Sequence, residues 1–194
     1  MDEILDITML VAGVYERLGV PYFVGGSFAS SLHGIPRATQ DVDIVAEMKD
    51  SHVPAFVAAL RPTFYLDEDA IRAAIAGRSS FNVVHLGSYF KADIFIPKDD
   101  EASRLEMERR QRFNLGGDPP PRDLVVASAE DVVAQKLFWF TLGDRVSDRQ
   151  WGDAVGVLKV AADRLDFVYL HHVCALLNVE ALLDRAPAEA SKTS

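Results

Sequence analysis

The sequence of 194 residues has only one cysteine, Cys174. An internal disulfide is therefore excluded, and a reducing compartment is the default. No run approaches the roughly 18 uninterrupted apolar residues that a membrane helix needs. Basic residues are in deficit: 20 Lys and Arg against 29 Asp and Glu leave a net charge of −9. Coating a phosphate backbone takes clustered cations, so a protein of that kind is disfavoured. An active site that meets nucleotides through metal ions is not. The first residues, Met1-Asp2-Glu3, are acidic where a secretory signal is basic. The expected location is the cytoplasm, with no membrane partner. With 49% hydrophobic and 25% charged residues, the composition is that of an ordinary globular protein and excludes disorder and low complexity. The length suits one domain, or one with a small appendage.

Apolar residues at Ile4, Ile7, Leu10, Val11, Val14 and Leu18 recur at helical spacing and predict a helix over 3–18. Tyr22-Phe23-Val24 reads as a short buried strand, followed by Gly25-Gly26-Ser27 and a helix over 28–33. Asp41 to Met48 alternates, with Val42, Ile44 and Ala46 on one face and Asp41, Asp43 and Val45 on the other, which predicts a strand. Helices are expected at 51–60 and 67–76, the second opened by Asp67-Glu68-Asp69. Phe81 to Leu86 and Phe90 to Ile96 form a hairpin pattern around Gly87-Ser88. A charged helix at 99–108 and strands at 109–116 and 122–126 follow, around a Gly/Pro turn at 116–121. Ser128 is the expected N-cap of a helix over 129–142, with Asp131 at its N3 position. Further helices are expected at 147–162, 166–177 and 179–185. The organisation reads as a mixed strand-and-helix core over 1–127, a helical region over 128–185 and a flexible tail over 186–194.

The chemistry concentrates in Val24 to Val45. Asp41 and Asp43 lie two apart on a strand, so their side chains share a face. Adjacent carboxylates resist ionising together, and a divalent cation relieves that cost. The pair is weak evidence alone: with 19 aspartates in the chain, about two such pairs arise by chance. Context strengthens it. A strand that ends in Gly25-Gly26-Ser27 and runs into a helix is a phosphate-binding geometry, because glycine admits an anion to the backbone and helix N-terminal amides point at it. The same glycines also suit a plain tight turn. Arg37 can clamp a phosphate bidentately or pair with a surface acid. Asp93 stands within Lys91-Ala92-Asp93-Ile94-Phe95, read as an otherwise apolar strand, where a charge is costly unless it is paired, metal-bound or at an edge.

Gly-Gly-Ser, then Arg37-x-Thr39-x-Asp41-Val42-Asp43, then a lone Asp in a later strand resembles the nucleotidyltransferase superfamily, the DNA-polymerase-β-like fold. Arg and Thr close before the Asp-x-Asp pair resemble the AbiEii-like abortive-infection toxins and related small bacterial nucleotidyltransferases. Ser128 to Lys136, followed by Arg145 through Asp148 to Asp153, extends the likeness into the helical part. The resemblance implies an α+β fold, with a nucleotidyltransferase-like mixed sheet flanked by helices and followed by a helical bundle. It implies transfer of a nucleoside monophosphate from an NTP to a hydroxyl. Asp41, Asp43 and Asp93 would be the catalytic and metal-binding residues, on Mg²⁺ or Mn²⁺. Gly25, Gly26, Ser27, Arg37, Thr39 and Lys136 would bind the nucleotide.

Competing readings exist for several residues. Lys136 precedes Leu137-Phe138-Trp139-Phe140 and also reads as a snorkelling surface lysine. Asp148 reads as a helix N-cap, and Asp153 as an ion-pair partner of Arg145 or Arg149. His33 reads as a packing residue. The adjacent His171 and His172 point to different faces, and Cys174 behaves as a small hydrophobe. Arg104, Arg109, Arg110 and Arg112 offer RNA a foothold or form a solvated face balanced by Glu101, Glu106 and Glu108. The acceptor stays open among a tRNA 3′ end, a small-molecule hydroxyl and a protein side chain. An antitoxin partner or a homo-oligomer fits the resemblance. The rival function is a non-catalytic nucleotide-binding or toxin–antitoxin protein of the same fold. A plain protein-interaction module using the Arg104–Arg112 segment is a third.

Overall fold

The computed structural model describes residues 2–116 and 122–186. Most of the turn expected at 116–121, and all of the expected tail beyond Ala186, lie outside the described residues. In chain order the elements are α1 Asp2–Leu18, β1 Tyr22–Val24, α2 Gly26–His33, β2 Asp41–Ala46, α3 Val53–Leu60, β3 Phe64–Tyr65, α4 Glu68–Gly77, β4 Ser80–His85 and β5 Lys91–Phe95. Then come α5 Glu101–Arg109, β6 Gln111–Asn114, β7 Asp123–Val126, α6 Ala129–Leu142, α7 Asp148–Ala161, α8 Phe167–Leu176 and α9 Glu180–Leu183. No helix among the described residues is long and apolar enough to cross a membrane.

These elements group into two compact units. A sheet unit takes Met1–Val24, Ala38–Asp99 and Arg110–Val126; a helical unit takes Gly25–Arg37, Asp100–Arg109 and Ala127 onward. The sheet unit is built on one mixed, seven-stranded sheet of order β3-β4-β5-β2-β1-β7-β6. β2 runs parallel to β5 and antiparallel to β1, while β1 and β7 pair in parallel. The period-two pattern works as expected. Val42, Ile44 and Ala46 of β2 and Ala92 and Ile94 of β5 are buried, while Asp41, Asp43, Lys91 and Asp93 lie on the opposite, half-buried face.

α1 buries Ile7, Val11, Val14 and Tyr15. The Tyr15 ring stacks on Tyr22 at 5.6 Å and on Phe56 of α3 at 5.3 Å, and Phe56 meets Phe81 edge-on. Such burial is worth roughly 1.5–3 kcal/mol per large apolar side chain, so this aromatic cluster anchors the helices of the unit. α4 is capped by Asp67, whose carboxylate accepts from the Asp69 and Ala70 amides. β3 was not expected from the sequence. Two residues are too few to show a period, and Phe64–Tyr65 becomes a strand by pairing with His85 and Val84 of β4.

In the helical unit Ser128 caps α6 by accepting the Asp131 amide, and Asp166 caps α8 by accepting the Tyr169 amide. α7 is capped by Ser147, not by Asp148, because the serine hydroxyl accepts the Gln150 amide and leaves Asp148 as the first helical residue. α2 ends at Gly34, where a Cβ would come within 2.7 Å of the Val157 amide nitrogen. Only a residue without a side chain lets the two backbones approach so closely.

Glu106 corrects the reading of α5 as a solvated face: it is only 7% exposed and accepts from the Gln135 amide at 3.1 Å. Burial, with the charge of Asp131 adding to it, pushes the Glu106 carboxyl up to about 8. An acid raised in this way is protonated in the folded chain and ionised in the unfolded chain between about pH 4.3 and 8. Its contribution is therefore intact below pH 4.3 and lost as the pH rises towards 8. Glu106→Gln is expected to remove a falling limb of up to about 1.4 kcal/mol per pH unit over that window. Urea midpoints measured from pH 4.5 to 8.5 check this; an unchanged slope in the variant counts against the buried acid.

Candidate functional site

The parallel register of β2 and β5 sets Asp43 beside Asp93 and Asp41 beside Lys91. Neighbouring strands lie about 4.8 Å apart and alternate residues of a strand about 6.6 Å apart. Three carboxylates and one ammonium thus form a compact block on one face of the sheet. The Thr39 hydroxyl donates to Asp41 Oδ1 at 3.0 Å and fixes that carboxylate. Lys91 Nζ lies 2.7 Å from Asp93 Oδ2, and this hydrogen bond raises the lysine pKa. Among the described residues no three His, Cys, Asp or Glu side chains converge as a ligand shell; in this arrangement Asp93 is turned to Lys91. The donor set nonetheless fits a hard divalent cation. It is all carboxylate oxygen, it lies on one face, and a cation is already drawn to it.

The helical unit holds a second constellation. Gly25 caps α2, and Gly26 has φ +55°, in the left-handed region that glycine enters without strain. α2 has no acidic residue in its first turn and no side-chain cap, so its N-terminal dipole is not offset locally. Ser27 in that turn accepts from Arg37 and, at 3.4 Å, from Lys136 Nζ.

Asp153 binds both cations. Arg37 Nε and Nη2 grip its two oxygens at 2.8 and 2.9 Å, and Lys136 Nζ lies 2.8 Å from Oδ2. Lys136 and Asp153 are nearly enclosed, with side chains 5% and 7% exposed. Burial works to raise the Asp153 carboxyl, but the hydrogen bonds and charges of Arg37 and Lys136 outweigh it and hold it below the usual range. Asp153 therefore does not pair with Arg145 or Arg149 as the sequence reading had it, and Lys136 does not snorkel. Helical spacing cannot reveal an ion pair between residues 116 positions apart.

The structure thus brings Asp41, Asp43, Asp93 and Thr39 together on the sheet face. It brings Gly25, Gly26, Ser27, Arg37 and Lys136 together in the helical unit. Sequence reasoning missed Lys91 as a member of the site, and it gave Asp153 an ion pair but with other partners than Arg37 and Lys136. Lys91 had a signal: on a strand it shares a face with Asp93, two residues on. The remaining candidates are structural. His33 is buried with Nε2 2.8 Å from the Ala127 carbonyl, and burial lowers its pKa. His171 and His172 pair separately with Glu180 and Glu101. Burial raises the Cys174 thiol to about 12, which keeps it protonated and inert. In the basic segment Arg104 bonds Glu108, and Arg109 lies over the Tyr169 ring at 3.9 Å.

No family model matches the chain, and no curated protein matches it. Solved structures do. An antigenic nucleotidyltransferase-like protein from Paracoccidioides brasiliensis aligns with a TM-score of 0.56 at 15% identity, over 95% of this chain and 92% of that one. The antibiotic-resistance factor ANT(2'')-Ia, studied in solution, aligns with a TM-score of 0.54 at 14% identity, over 95% and 97%. The same factor in complex with adenylyl-2''-tobramycin also gives 0.54, at 13% identity, over 90% and 96%. At such identities the likeness establishes the fold: the chain has the nucleotidyltransferase-like architecture, a mixed sheet flanked by helices with further helices after it.

Proposed function

We propose that this protein is a metal-dependent nucleotidyltransferase that moves a nucleoside monophosphate from an NTP to a hydroxyl acceptor. The observation that carries this reading is the register of β2 on β5, which sets Asp43 beside Asp93 and next to Asp41 on one face of a nucleotidyltransferase fold. In the reaction the acceptor oxygen bonds to the α-phosphorus, the bond from that phosphorus to the bridging oxygen breaks, and pyrophosphate leaves with the electron pair. A bound Mg²⁺ or Mn²⁺ supplies positive charge at the attacking and leaving oxygens. Asp41, positioned by Thr39, and Asp43 would hold it. Asp93 would complete the donor set and favour loss of the acceptor hydroxyl's proton. The α2 amides, Ser27, Arg37 and Lys136 suit the β- and γ-phosphates, and Asp153 keeps the two cations in place. The Arg37-x-Thr39-x-Asp41 pattern extends this reading to an AbiEii-like toxin with an antitoxin partner.

The experiment offers labelled NTPs with Mg²⁺ or Mn²⁺ to the protein together with total cellular RNA or tobramycin, the second chosen because the ANT(2'')-Ia complex carries its adenylylated form. Label is expected on one acceptor class, with release of pyrophosphate. NTP binding without transfer to any acceptor would instead identify a nucleotide-binding protein of the same fold.

A further inference from the structure

We propose that Lys91 is a built-in counter-ion of the carboxylate face, which exchanges with the divalent cation when the site loads. This rests on the metal-dependent reading above. Asp41, Asp43, Asp93 and Lys91 occupy four adjacent positions of the β2–β5 pair, two on each strand. Three carboxylates held this close repel one another. The ammonium offsets that repulsion, lying 2.7 Å from Asp93 Oδ2.

The exchange is also sterically cheap. Lys91 sits at the first position of β5, with a side chain 43% exposed against 22% for Asp93. A flexible four-carbon stem with a half-exposed head changes rotamer within nanoseconds. Asp93 has a lysine to hold before the metal arrives and an oxygen to offer once that lysine swings out. Two consequences follow. Lys91 keeps the empty face from repelling itself, and it makes the divalent cation compete for Asp93, so affinity is set below what three free carboxylates would give. A lysine that merely touched substrate would do neither.

Mn²⁺ titrations of the full chain, read by the electron paramagnetic resonance of free Mn²⁺, test this without any turnover. The proteins are wild type, Lys91→Met, which keeps the stem without the charge, and Asp43→Asn. A thermal melt of each, with and without Mn²⁺, is the second readout. Lys91→Met is expected to bind Mn²⁺ about fivefold tighter or more. It is also expected to melt lower than wild type without metal and to gain more from Mn²⁺. Asp43→Asn is expected to bind more weakly than wild type. If wild type binds in an Asp43-dependent way but Lys91→Met binds equally or less tightly, the counter-ion role is overturned and the metal-dependent reading stands. If neither wild type nor Lys91→Met binds Mn²⁺ at millimolar concentration, that reading falls and takes this inference with it.

Discussion

Asp43→Asn is expected to lower nucleotidyl transfer about a thousandfold while changing the thermal midpoint little. The two effects have one cause. Asp43 stands between Asp41, two residues away on β2, and Asp93, its partner in register on β5. The amide keeps the shape and removes one charge from the face, which lowers its like-charge repulsion. The same charge is what the proposed reaction would need. Electrostatic groups aimed at developing charge are each worth about two to three orders of magnitude in rate, and a central carboxylate of the donor set belongs at the upper end. Label transfer and a melt on the same preparation check both halves. Transfer within tenfold of wild type would remove Asp43 from the machinery. A large drop in midpoint would make it a structural residue.

Asp153→Ala is expected to behave in the opposite way, with a large loss of stability. Removing the acid takes away the carboxylate that Arg37 and Lys136 share beside Ser27. Stripping one partner from a buried ion pair costs about 3–5 kcal/mol. Lys136 is enclosed but Arg37 is 26% exposed, so the lower end, about 3 kcal/mol, is expected. A depressed carboxyl stabilises the fold above its unfolded value, near pH 3.9, and that contribution is lost as the pH falls through the lower folded value. The gap between wild type and Asp153→Ala should therefore be full at pH 7 and close towards pH 2. Urea midpoints at both values check the sign. Adding Lys136→Met to Asp153→Ala should recover part of the loss, because the second change removes the uncompensated ammonium. Additive losses in the double variant would mean that the two side chains are not coupled.

The two predictions rest on features that differed in how readily the sequence disclosed them. Asp41 and Asp43 were visible because a strand has a period of two, and the alternation of Val42, Ile44 and Ala46 with the acids gives each side chain its face. Ser128 was visible as a cap and Asp67 as part of an acidic helix start because capping is satisfied within three residues. The short strand Phe64–Tyr65 was not, since its pairing partner lies on another element. Nor was the burial of Glu106. Its helix has a charged composition, and what encloses Glu106 includes Gln135, 29 residues further on.

The same division runs through the candidate site. Local pattern was enough to name Gly25, Gly26, Ser27, Asp41, Asp43 and Asp93, because backbone dihedrals and side-chain direction are set by near neighbours. It was also enough to name the mixed architecture that the fold then shows. It could not say that Asp93 sits beside Asp43, since strand register is chosen by which apolar faces pack. It could not say that Asp153 is the acid shared by Arg37 and Lys136. Charges attract without regard to chain separation, and only the packing of α6, α7 and the segment after α2 brings these three within hydrogen-bond reach.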